Sequence, residues 1–149
     1  MAQTDLEPVH KLNAYYLYVQ NEGKLLSAAQ ARQWSSGTLK TLGLSVDRRS
    51  KRALAKKLPD DLSKDLTSVF WLLHFRDPKQ SAAEFKSKVG RRSGNTDAEF
   101  AQFPILAVFS GLKAFIDFDL SGRVSRSLSP EIRDMWLRAD PMPEDVPAE

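Results

Sequence analysis

Sliding the chain by 70 residues lays its second half on its first without a gap. Tyr15 then meets Phe85, Val19 meets Val89, Ala31 meets Ala101, Leu42 meets Leu112, Leu54 meets Val124 and Leu66 meets Trp136. The turn Leu58-Pro59-Asp60-Asp61-Leu62 meets Leu128-Ser129-Pro130-Glu131-Ile132. Self-similarity at a fixed period is the mark of one supersecondary unit used more than once, each copy burying a face that it cannot bury alone. The expected organisation is a first unit over residues 10–79, a second over 80–138, and a Pro-rich acidic tail, 139–149, with too little apolar content to order.

Within a unit the apolar spacing is helical. Val9, Leu12, Tyr16 and Val19 recur at steps of three and four, one face of a helix. Gly23 reads as its stop. Ser27 reads as the cap of a second helix that carries Ala31, Trp34, Thr38 and Leu42 along one side and ends at Gly43. Asp47 is a good N-cap for a third, short helix to Lys57. Pro59 suits the first position of a fourth, running to Phe75 before Asp77-Pro78. This helix is apolar nearly all round near its end and is expected to be the central, most buried one. The fold class is therefore all-α, two tandem four-helix units stacked into one bundle-like domain. Pro104 conflicts with the pattern. It falls in mid-course of the second unit's long helix, where an interior proline costs about 3 kcal/mol, so a kink or break is expected near Gln102–Pro104.

These residues resemble the uncharacterised bacterial family called domain of unknown function 2267. In that family each repeat opens with F-x-x-x-V, passes a glycine and closes on a leucine-proline turn. The first unit supplies Tyr15, Val19, Gly23 and Leu58-Pro59, and the second Phe85, Val89, Gly94 and Leu128-Ser129-Pro130. The departures are Tyr15 for Phe, Ser129 before the proline, and Pro104 inside a helix. The resemblance implies paired helical repeats and brings no activity with it.

Several kinds of chemistry are missing from the sequence. There is no cysteine among the 149 residues, which removes disulfides, zinc-thiolate sites and thiol nucleophiles. The longest strongly apolar run, Val69 to Leu73, is far short of a membrane span, and the N-terminus lacks the pattern of a secretory leader. A cytoplasmic protein is expected. The two histidines, His10 and His74, have no converging partners for a metal. His74 is read as a partly buried ring bonded to a carbonyl or to Asp77. The acids Asp60-Asp61 fall in a first helical turn, where the helix dipole explains them. Asp117 and Asp119 fall at a helix end, where carboxylates cap or are solvated. No catalytic, cofactor-binding or metal-binding residue is assigned, and no enzyme is expected.

One feature stands out. Arg48, Arg49, Lys51, Arg52, Lys56 and Lys57 make six of ten residues basic, in a chain whose net charge is only +3. On a helix, Arg48, Arg52 and Lys56 form a stripe with Arg49 alongside, while Leu54 and Leu58 face inward. Such a helix suits an anionic contact, because phosphate contacts need cations but no sequence code. The leading reading is a non-enzymatic helical module that binds a protein partner, acidic where it meets this helix. The alternative is nucleic-acid association through helix 48–57. Two facts count against the alternative: no aromatic interleaves the cations, and the matching stretch of the second unit keeps only Arg123 and Arg126. Arg91-Arg92 would extend the patch if they fold nearby.

Overall fold

The computed structural model describes residues 2–68, 77–94 and 98–143, and among these all regular structure is helical. The helices are α1 (Ala2–Glu22), α2 (Ala28–Ser45), α3 (Arg48–Lys57), α4 (Asp60–Thr67), α5 (Ala82–Arg92), α6 (Ala98–Lys113), α7 (Phe118–Ser127) and α8 (Pro130–Arg138). Several of their bounds keep the 70-residue offset. α2 and α6 begin at 28 and 98, α4 and α8 at 60 and 130, and α3 and α7 coincide at both ends. Even the caps correspond. The Asp47 carboxylate accepts from Ser50 N–H and the Asp117 carboxylate from Leu120 N–H.

α1, α2, α5 and α6 form a ring in which each helix packs on the next, and α2 also meets α6 across it. α4 lies on α2 and α3 on α4. α8 lies on α5 and α6, and α7 on α8. The two lateral layers close on each other where α3 meets α7. The residues matched by the 70-residue shift fill the middle: Tyr15, Phe85, Leu39, Phe109, Leu66 and Trp136 are all fully buried. The inter-unit link is tied down as well. Ser129 Oγ donates to Gln80 O at 2.7 Å, so the serine that departs from the family pattern has a structural use.

Four expectations are corrected. Gly43 does not end α2, which continues to Ser45. A Cβ on Gly43 would stand 2.2 Å from Leu66 O, so this glycine is there to let α4 approach. Pro104 does not break α6, which runs through it from Ala98 to Lys113. Its ring removes one backbone donor, and its Cα and Cβ come within 3.1 and 3.3 Å of where a Gly23 Cβ would be. Gly23, just past the end of α1, thus seats closely against the proline. α4 starts one residue later than expected. Over the described residues α2 touches α1, α4, α5 and α6, and α4 buries Leu62 and Leu66; the apolar end expected to make the fourth helix the most buried one is not among them. Residues 69–76, including Phe70 and His74, lie outside the described residues. Finally, residues 139–143 are packed: Ala139 and Met142 are buried, and Met142 N–H donates to Ser110 O at 2.9 Å. Residues 144–149 lie outside the described residues.

Candidate anion-binding surface

α3 forms because its ends are capped and one face is anchored. Asp47 caps the start, Leu58 N–H closes on Leu54 O, and Ser50, Leu54 and Leu58 are buried against the body. The other faces are left to the cations. Arg48, Arg49, Arg52, Lys56 and Lys57 are exposed, as the spacing predicts. Lys51 differs. Its stem lies over Gly43, it is half-buried, and its amine is held below the ordinary lysine range by loss of water and then by the charge of Arg48. It is a packing residue with a charged tip, and the candidate contact surface on α3 is left to the other five.

The partner of this helix is α7, and the two run antiparallel. The N-terminal end of α3 lies by the C-terminal end of α7, where Asp47 N–H donates to Ser127 Oγ at 3.3 Å. Two open grooves flank the seam. One, of about 440 Å³, is lined by Arg48, Arg49, Arg123 and Arg126 together with Asp47, Ser50 and Ser127. The other, of about 380 Å³, is lined by Arg49, Arg52, Lys56, Lys57 and Arg123, with Asp117, Asp119, Ala53 and Leu120. Arg49 and Arg123 line both and so form the ridge between them. The two arginines of the second unit that looked like a poor remnant therefore complete the patch. Among the described residues, Arg49, Arg52, Lys56, Lys57, Arg123 and Arg126 make no ion pair.

Arg91 and Arg92 line neither groove. Arg92 Nη1 donates to Thr41 Oγ1 at 3.0 Å, and burial followed by the neighbouring Arg91 charge lowers its pKa. The paired acids take structural places. Asp60 and Asp61 sit in the first turn of α4, and Asp117 caps α7.

One residue of this surface escapes a reading by spacing alone. Phe118, the first residue of α7, is 91% exposed. Its chain neighbours Asp117 and Asp119 both line the second groove. In the sequence it sits among residues of a helix boundary; it lines neither groove itself, and the pairing of α7 with α3 brings only its neighbours Asp117 and Asp119 to the cations.

Fold and surface together define an all-helical protein with one strongly basic face. The chain matches the family described as "Uncharacterized conserved protein (DUF2267)" over residues 13–135, and belongs to it. No curated protein matches the chain. Among the described residues no helix is long and apolar enough to cross a membrane.

Proposed function

We propose that this protein is a non-enzymatic binding module of the cytoplasm, and that its working surface is the α3–α7 face, which receives an anionic partner. The observation that carries the reading is the convergence of Arg48, Arg49, Arg52, Lys56, Lys57, Arg123 and Arg126 on two antiparallel helices from different halves of the chain. Like charges at i, i+4 destabilise a helix slightly, and cations at a helix start oppose its dipole. α3 carries both penalties, at Arg48, Arg52 and Lys56 and again at Arg48 and Arg49. A partner bearing negative charge relieves both.

The binding mode implied is electrostatic capture. Clustered cations raise the local concentration of an anionic partner and speed its approach, and both effects fade with salt. The test is retention on immobilised heparin. The variant with Arg49→Gln, Arg52→Gln and Arg123→Gln should elute at clearly lower salt with an unchanged melting temperature. Equal elution of variant and parent would overturn the reading.

A further inference from the structure

We propose that the α3–α7 face binds single-stranded nucleic acid, with phosphates in the second groove against Arg49, Arg52, Lys56 and Arg123 and a base stacked on Phe118. This rests on the anionic-partner reading above and names the chemistry of the partner.

Three observations favour a nucleic acid over an acidic protein. The first is the composition of the face. Protein interfaces concentrate apolar and aromatic groups at their centre and deplete charge there. Here the centre is the ridge of Arg49 and Arg123, and the apolar lining of the second groove is Ala53 and the buried Leu120. Interfaces with nucleic acid are the ones that are strongly positive and polar throughout. The second is that arginine dominates, with five arginines to two lysines across the two grooves. Its planar fork matches phosphate oxygens in pairs. The third is that these arginines, Arg48 aside, make no ion pair among the described residues, so their forks are open to a ligand.

Phe118 then selects the form of the nucleic acid. Phe118 is 91% exposed; a lone exposed ring is common on protein surfaces, and this one matters because the residues on either side of it, Asp117 and Asp119, line the second groove. A basic groove that tracks the backbone, beside an aromatic on which bases stack, is the arrangement that holds single strands without regard to sequence, because every base has a π-face. A duplex keeps its bases within its own stack and offers Phe118 nothing. The carboxylates nearby do not reverse the field. Asp117 is engaged with Leu120 N–H at 2.8 Å, and the second groove holds five cations against two carboxylates.

The experiment is fluorescence anisotropy on the full chain, with a labelled oligothymidylate of roughly 16 nucleotides. A duplex of the same length and polyglutamate of matched charge are the competitors. Binding should favour the single strand over both. Phe118→Ala should weaken the single strand about 5- to 100-fold, as for loss of one stacked base. It should leave the salt slope and duplex binding unchanged. The variant with Arg49→Gln, Arg52→Gln and Arg123→Gln should flatten the slope by about 2, since each phosphate contact contributes about 0.7 on a single strand. All four substituted side chains are exposed, so melting temperatures should match the parent. Polyglutamate binding as tightly as oligothymidylate would overturn this proposal and leave an acidic protein as the partner of the same face. An unaltered affinity in Phe118→Ala would overturn it too. Failure to bind any of the three polyanions would overturn the anionic-partner reading itself.

Discussion

Tyr15 Oη and Ser35 Oγ lie 2.6 Å apart, and neither residue is exposed to solvent. The equivalent pair 70 residues on is Phe85 and Ile105, also fully buried and wholly apolar. The hydroxyl that departs from the family pattern at position 15 therefore has its partner supplied at position 35. A double-mutant cycle tests the coupling. Tyr15→Phe strands the serine hydroxyl and should cost about 1–3 kcal/mol. Adding Ser35→Ala should recover part of that loss, with a coupling of at least about 0.5 kcal/mol. Urea denaturation of the four proteins reads it directly, and strictly additive losses would mean that the bond contributes nothing.

The same corner of the molecule should make stability fall in alkali. Burial, followed by the charge of Asp65, pushes the Tyr16 phenol up to about 12 from an ordinary 10. Burial raises Tyr15 still further, against the pull of the Ser35 bond. A phenol whose folded pKa is raised resists ionising when folded and yields readily when unfolded. Its contribution to stability is intact below about pH 10 and is lost as pH rises toward 12. Lys51 and Lys113, whose pKa values are lowered by burial, act in the opposite sense over the same range. The useful measurement is therefore the difference between the parent and Tyr16→Phe. The stability gap should narrow or reverse above pH 10 and stay constant between pH 7 and 9.

Leu66 is fully buried although the helix that carries it is half-exposed, because α4 lays only Leu62 and Leu66 on α2. Leu66→Ala should cost about 2–5 kcal/mol in chemical denaturation. Lys64→Ala, on the outer face of the same helix, should stay within about 0.5 kcal/mol. Equal effects at the two positions would contradict the burial pattern.

Gly43 and Lys113 occupy equivalent positions and meet equivalent carbonyls in different ways. Leu66 O comes to 2.2 Å from the place of a Gly43 Cβ, while Lys113 Nζ donates to Trp136 O at 2.5 Å and to Ala139 O at 2.6 Å. Gly43→Ala should cost about 1–3 kcal/mol, since a backbone atom must give way. Lys113→Met keeps the stem over Trp136 and removes the donor; Ala139 O loses its lysine partner, while Trp136 O keeps the bond from Ala139 N–H. A loss of about 1–3 kcal/mol is expected by thermal or urea unfolding.

Much of this architecture is written in local pattern. Steps of three and four place the helices, and Asp47 and Leu58 bound α3 where they were expected to. The residues that misled are those whose role depends on another helix. Gly43 looks like a terminator because a glycine after a leucine usually is one. Its actual reason, the approach of Leu66 O, belongs to an element 23 residues away. Pro104 looks like a breaker because local propensity says so, yet α6 runs through it with Gly23 seated closely against it. The basic helix was legible as a run of cations. Its completion by Arg123 and Arg126, and the placing of Phe118, were not, because no local signal says that α3 and α7 lie side by side.

The seam between α3 and α7 has a further consequence. Most helices here owe their stability to the neighbours that cover them. α3 fully buries only Ser50 and Leu54, tucks Ala53 and Ala55 partly against the core, and carries like charges on its outer face. How firmly it holds is thus set in part by the bathing solution. The screening length shrinks from about 30 Å at 0.01 M salt to about 8 Å at 0.15 M. In dilute buffer this helix should be among the first to open, with its amides exchanging early. A polyvalent anion bridging the two helices should quiet it more than an equal ionic strength of sodium chloride. The bound anion would then serve as a missing neighbour, and occupancy of the face would be readable in the rigidity of ten residues.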